Sequence, residues 1–331
     1  LYGFALSRFA GLWVGLKTMK DTIETTAVVN GDPHRLSFRL PDFDMPEGGL
    51  NIRLGDTPHA QEARMIDYKR FAAEAFSRAN RMDKRVWGKP GAKIGFVAAG
   101  KNWLDLQHAM SLLNIHEGEA DRLGITTYKV GQTFPLDMHS FHDWAEGLDL
   151  IVIVEEKRKL IEVQVKEAIF DDRRGRRVYG WYKGGAGGMH RDELFPTRGA
   201  LDPIWIAEKL GDILIEERRG TDGIRAGLDA LRQARAGDNA QEIAARLPYY
   251  CAGCPHNTST KVPDGSRAYA GIGCHYMVQW MDRQTTGFTH MGAEGANWIG
   301  EAPFSNTNHV FQNLGDGTYN HTGSLAIRAA L

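Results

Sequence analysis

Apolar positions along the chain follow two rhythms, and their alternation predicts the elements. Lys93-Ile94-Gly95-Phe96-Val97-Ala98-Ala99-Gly100 is a short apolar run closed by glycine, and Leu104, Leu106, Met110 and Leu113 follow it at roughly helical intervals. A short continuous run bounded by turn signals suits a strand buried on both faces, and the wider spacing suits a helix packed on it. The pattern repeats. Residues 126–130 predict a second strand, 141–146 a helix, and 150–154 a third strand running into a helix that begins at Glu155-Glu156. Strand–helix alternation of this kind predicts an α/β fold with a parallel, doubly wound sheet.

Flanking this block, residues 1 to about 29 read as an apolar, glycine-punctuated helix leading into a β-branched strand over 22–29. Residues 30–58 are dense in Pro and Gly and predict an extended connector, after which 64–80 read as an amphipathic helix. Gly184-Gly185-Ala186-Gly187-Gly188 lacks the Lys-Ser/Thr of a phosphate loop and reads as a flexible turn. Residues 204–246 predict helices broken at Gly220 and Gly237 that connect two domains. Near the end, 308–314 predict a strand, Gly315-Asp316-Gly317 a turn, and the residues from Thr318 or Ser324 onward a helix.

Composition narrows the class. A length of 331 residues suits about two domains. With 40 Lys+Arg against 41 Asp+Glu the net charge is −1, so no global basic field draws the chain to nucleic acid or to an anionic membrane. No apolar run approaches the roughly 20 residues of a membrane-spanning helix. Three cysteines are too few for a disulfide scaffold and suit a reducing, cytoplasmic setting. The sequence opens Leu1-Tyr2-Gly3-Phe4 without a signal peptide, and 325–331 is helix-forming with no stop signal. The expectation is an internal piece of a longer polypeptide.

All three cysteines fall after Pro248. Cys251-Ala252-Gly253-Cys254 places two thiolates within reach of one metal or cluster, and Cys274 in Gly271-Ile272-Gly273-Cys274-His275 offers a third from a glycine-bracketed loop. A fourth ligand is then needed. His256 or His275 would complete a zinc site, and a cysteine outside this sequence would complete an iron–sulfur site; the spacing does not choose between them. A thioredoxin-like pair is disfavoured because Pro255 and Pro263 follow so closely. In Gly315-Asp316-Gly317, amides at the start of the next helix can hold a phosphate and the carboxylate its Mg²⁺, although Asp-Gly is also an ordinary turn dipeptide.

Four segments resemble the thiamine diphosphate-dependent 2-oxoacid:ferredoxin oxidoreductases, most closely their indolepyruvate branch in its long, fused form. They are residues 251–263 (CAGCPHNTSTKVP), 270–277 (AGIGCHYM), 289–300 (THMGAEGANWIG) and 313–321 (NLGDGTYNH). Shorter stretches at 5–8, 13–15, 49–53, 128–131 and 154–157 are also similar to that family. The resemblance implies a map: 1–29 end a pyrimidine-binding domain, 30–92 are a connector with a helix, 93–183 a transketolase C-terminal-like domain, 184–247 a helical connector, and 248–331 the start of a thiamine diphosphate-binding domain. It also implies that Cys251, Cys254 and Cys274 supply three of four [4Fe-4S] ligands. Asp316 would ligate Mg²⁺, with Gly315, Gly317 and Thr318 lining the diphosphate. His290 and His256 match segments near the reacting centre and are the catalytic candidates, with Glu294 a weaker one.

The activating glutamate of the pyrimidine domain would precede Leu1 and the closing Asn-Asp of the thiamine motif would follow Leu331, so this piece alone is expected not to turn over. The implied reaction is oxidative decarboxylation of an aryl-2-oxoacid such as indolepyruvate, with acyl transfer to coenzyme A, electrons passed to ferredoxin, and a homo-oligomeric enzyme. The rivals are a related enzyme using another oxoacid and a non-catalytic, zinc-stabilised module.

Overall fold

The structure is a computed structural model that describes residues 1–184, 193–237 and 247–331. The chain forms two compact units, Leu1–Asn239 and Ala240–Leu331.

The first unit is built on a five-stranded sheet of β1 (Lys84–Arg85), β2 (Ile94–Ala99), β3 (Ile125–Val130), β4 (Leu150–Val154) and β5 (Arg177–Tyr179), in the order β1-β3-β2-β4-β5. β1 pairs antiparallel with β3, and every other pairing is parallel, with Ile94 opposite both Ile125 and Leu150. All five residues of β4 are buried, as a strand covered on both faces requires. Alternate residues serve opposite faces. Ile94, Phe96, Leu150 and Val152 join the Gly100–Leu112, Pro203–Glu216 and Asp222–Gly237 helices in one core, whereas Val97, Tyr128, Ile151 and Ile153 join Met138–Ala145 and Ile161–Ala168 in the other. The expected α/β, doubly wound, parallel sheet is present. Gly95 is required here, because a Cβ on it would lie 2.5 Å from the Trp144 ring. The helices within 204–237, read from sequence as joining two domains, instead cover one face of this sheet; Gly227 lets them approach, since a Cβ there would stand 2.4 Å from the Leu112 carbonyl. Residues 238–246 and Gly185-Ala186-Gly187-Gly188 lie outside the described residues.

Three local expectations change. Residues 22–29 do not form a strand: Lys20–Ile23 make one helical turn, and Val28 and Val29 are exposed. Strand propensity reports fit to a pleated, half-buried surface, and no neighbouring strand provides one there. The helix expected over 64–80 begins earlier, at Pro58, where Thr57 accepts from the Ala60 amide; it widens over Met65–Lys69 and continues to Ala79. Its last part packs on the Tyr2–Ala10 helix through Leu6, Ala10, Ala72, Ala73 and Phe76. After β4 the chain does not become helical at Glu155. The Glu155 carboxylate instead accepts from the Leu160, Ile161 and Glu162 amides at 2.9 to 3.2 Å, capping a helix that starts at Ile161.

The second unit holds β6 (Ala268–Ala270), β7 (Thr285–Phe288) and β8 (Phe311–Gln312), all parallel, in the order β7-β6-β8. The chain passes from central β6 to one side and then returns to the other. Among the described residues no helix is long and apolar enough to cross a membrane.

Candidate functional site

Strand order in the second unit is the kind that open α/β sheets use for ligand binding. Where successive connections leave a central parallel strand in opposite directions, the loops at the carboxyl ends part, and ligands of open α/β sheets bind in that gap. β6 runs into Gly271-Ile272-Gly273-Cys274, and β8 runs into Asn313-Leu314-Gly315-Asp316. The two loops touch: a Cβ on Gly271 would lie 2.4 Å from the Asn313 carbonyl and 3.1 Å from His275 Nδ1. Glycine at 271 is therefore what lets the cysteine-bearing loop sit against the Gly-Asp-Gly turn.

The turn itself opens a helix at Asp316, two residues before the earlier of the two expected starts, with Gly315 as its N-cap. Asp316 and Gly317 are exposed, and nothing stands within 4 Å of where a Cβ on Gly315 or Gly317 would be. Asp316 Oδ1 accepts from the Gly317 amide at 2.8 Å, and Asn320 Nδ2 donates to the Asp316 carbonyl at 2.9 Å. Thr318, expected to line the same surface, is buried beneath it.

Cys251 and Cys254 sit on a tight turn in which the Cys254 amide donates to the Cys251 carbonyl at 3.1 Å and Gly253 takes φ +74°. One helical turn, His256–Ser259, follows. His256 is held on three sides: its Nδ1 meets Cys254 Sγ at 3.0 Å, its ring stacks on Tyr250 with centroids 5.2 Å apart, and His275 approaches edge-on at 4.6 Å. Arg283 Nη1 ties this turn down by donating to the His256 and Asn257 carbonyls and to Thr260 Oγ1, the last at 2.7 Å. Burial raises the Tyr250 phenol above its ordinary range, opposed by Thr260 and by the Arg283 charge, with small further rises from Cys274 and Cys254. Cys251 and Cys274 are exposed and Cys254 is half-buried. Among the described residues no three His, Cys, Asp or Glu side chains converge on a single ion, which applies alike to a Cys3His set and to the three cysteines of a cluster.

His290 is exposed just beyond the carboxyl end of β7. Behind it, Glu294 is buried: its Oε2 accepts from the Gly292 amide at 2.6 Å, and its Oε1 has no partner. Asn297 Oδ1 and Gln312 Oε1 are also buried and unpaired, and Gly295 packs against the Gln312 side chain. His275 Nδ1 is buried without a hydrogen bond of good geometry. Burial and the neighbouring His256 hold the His275 imidazole below its ordinary pKa, partly opposed by the Ile272 carbonyl and by Glu294. A buried acceptor left unpaired costs about 1–3 kcal/mol. Glu294, Asn297 and Gln312 thus each keep a buried acceptor oxygen without a partner. Sequence reasoning did not single out Tyr250, Arg283, Asn297 or Gln312, because none of them stands out from its local pattern.

The comparisons agree with an oxidoreductase class. Residues 84–238 match the family described as the indolepyruvate oxidoreductase domain, which spans the first unit's sheet and its helices. The chain is 23% identical over 266 residues to the indolepyruvate oxidoreductase subunit IorA of Thermococcus kodakarensis, covering 74% of this chain and 37% of that protein. It is 24% identical over 175 residues to IorA of Pyrococcus abyssi, covering 53% of this chain and 23% of that protein. The chain is thus similar to indolepyruvate oxidoreductases over part of its length, and it spans about a third or less of the length of these relatives. Among solved structures, a 2-oxoglutarate:ferredoxin oxidoreductase from Magnetococcus marinus aligns with TM-score 0.30 at 14% identity, over 59% of this chain and 30% of that one. A split-gene transketolase aligns with TM-score 0.24 at 15% identity, over 46% and 42%. Neither overlap is extensive enough to bear on function.

Proposed function

We propose that the second unit carries one half of a thiamine diphosphate site and three ligands of an iron–sulfur cluster in an enzyme that oxidatively decarboxylates an aryl-2-oxoacid. The observation that carries this reading is the contact between the Gly271–Cys274 loop and the Asn313–Asp316 loop at the carboxyl ends of the paired strands β6 and β8. It brings a thiolate-bearing loop and a phosphate-suited helix start to one place.

The donor types present suit both groups, although among the described residues the three cysteines do not converge on one ion. Asp316 is an exposed carboxylate at a helix start, where it would ligate Mg²⁺ while the open surfaces of Gly315 and Gly317 admit a diphosphate to the backbone. Thr318, being buried, would support the turn from below. Cys251, Cys254 and Cys274 would hold a [4Fe-4S] cluster as thiolates, with a fourth ligand from elsewhere. When bound, thiamine diphosphate supplies the electron sink for decarboxylation and the cluster a one-electron acceptor. This chain's own part is to bind and orient. His256, held between Tyr250, Cys254 and His275, would steady the cysteine turn, and exposed His290 would meet the substrate carboxylate. Indolepyruvate as substrate, coenzyme A as acyl acceptor, ferredoxin as electron acceptor, self-association and the domain map given above belong to the same proposal.

The test is Asp316→Ala in the intact enzyme, with Mg²⁺-dependent thiamine diphosphate binding followed by titration calorimetry. Binding should weaken by at least a hundredfold, and unchanged affinity would reject the assignment. Anaerobic reconstitution with iron and sulfide tests the cluster separately: Cys254→Ser should lose the broad visible absorption of a [4Fe-4S] centre, whereas a colourless protein that retains zinc would favour the zinc-stabilised module.

A further inference from the structure

Far from the cysteine-bearing loop in sequence, the first unit buries a guanidinium with nothing acidic to meet it. Arg176 is 5% exposed, and its Nη1 has no hydrogen-bond partner. Its Nε donates to the Leu148 carbonyl at 3.2 Å, and among the described residues no carboxylate pairs with it. Arginine is almost never buried so completely unless it is paired, because desolvating a cation costs several kcal/mol. A second cation sits alongside: Arg173 Nε donates to the Arg176 carbonyl at 3.3 Å and likewise has no acidic partner among the described residues. The nearby positive charges at Lys166 and Arg174 are answered, by Glu162 and Asp172. Cations at a helix C-terminus gain only about 0.3–1 kcal/mol each. The end of the Ile161–Ala168 helix therefore explains why Lys166 is there and does not offset the burial of Arg176.

Arg173 and Arg176 line a cavity of about 260 Å³ together with Lys166, Ile169, Phe170 and Val178. It lies near the amino-terminal ends of β4 and β5, since Arg176 immediately precedes β5 and its partner Leu148 lies two residues before β4. The lining combines cationic and apolar side chains, and Phe170, which is 79% exposed, is among them. The volume is below the roughly 300–1,000 Å³ of sites for larger ligands.

We propose that this cavity binds a small organic anion whose carboxylate pairs with Arg176 and whose apolar body lies against Ile169 and Phe170. A planar carboxylate matches the guanidinium fork and would supply the acceptor that Nη1 lacks. No covalent step is involved.

The experiment is titration calorimetry of the purified chain with phenylacetate as the probe, benzyl alcohol as its uncharged counterpart, and inorganic phosphate as an anion without an apolar body. Phenylacetate should bind in one-to-one ratio and the other two at least tenfold more weakly. Arg176→Gln should weaken phenylacetate at least tenfold. Phe170→Ala, at an exposed side chain that the fold does not need, should weaken phenylacetate severalfold and keeps the test decisive if the Arg176 variant fails to fold. Absence of phenylacetate binding, phosphate binding as tightly as phenylacetate, or equal affinity in the Phe170→Ala variant would each overturn the proposal.

Discussion

Asp83 is a carboxyl whose setting overrides its type. Its Oδ1 accepts from the Gly131 and Gln132 amides at 2.7 and 2.9 Å, and its Oδ2 is buried and unpaired. Burial pushes its pKa from 3.8 up to about 6, outweighing the amide hydrogen bonds that favour the charged form, and the nearby Asp137 carboxylate adds to the rise. A pKa raised on folding means that the folded state holds the proton more tightly. The stability this contributes is complete below the unfolded pKa and is lost as pH rises through about 6. Chemical denaturation across pH 4 to 8 should therefore show a decline on the order of 3 kcal/mol, a shift of about two pKa units converted at about 1.4 kcal/mol each. Asp83→Asn should remove that decline, and an unchanged pH profile in the variant would contradict the assignment. In sequence Asp83 stands beside Lys84 and is not singled out. The amides that bury it come from nearly fifty positions away, and no local pattern announces them.

Elements within 93–154 were legible because their residues alone fix them. A run such as Leu150-Ile151-Val152-Ile153-Val154 has no polar face and must be covered on both sides. Boundaries were less legible. The helix after β4 starts where the Glu155 carboxylate reaches its first amides, a hydrogen-bond geometry that charge alone does not position. The β-branched stretch over 22–29 had the composition of a strand and no neighbour to pair with. In the second unit the pairing of β6 and β8 depends on Gly271, which is testable. Gly271→Ala would drive a methyl into the Asn313 carbonyl, at an overpacking cost of about 1–3 kcal/mol. Circular dichroism melts should register destabilisation of the variant, and thiamine diphosphate binding should weaken with it. A variant with wild-type stability and binding would show that the two loops do not need this close approach.

The two units differ in how much they bury. The first holds two large clusters on either side of its sheet, whereas the second has a cluster of only Tyr250, Ala270 and Val278 fully buried. Burying a large aliphatic or aromatic side chain is worth roughly 1.5–3 kcal/mol, so the second unit rests on far less apolar stabilisation. Hydrogen exchange should find slow amides in β2, β3 and β4 and faster ones in β6, β7 and β8. Adding thiamine diphosphate with Mg²⁺ to the intact enzyme should slow the second set selectively, by ligand linkage; equal protection in both sets without ligand would contradict this picture. The sequence by itself determined the α/β alternation, the buried strands of the first sheet and the identity of the chemistry-bearing residues, because periodicity, spacing and side-chain type are local properties. Tertiary structure decided which of them meet. Gly271 and Asn313 are 42 positions apart, Asp83 and Gly131 are 48, and Arg176 and Leu148 are 28. Such contacts follow from strand order and from what each side chain is buried against, and both are settled by the packing of the whole chain.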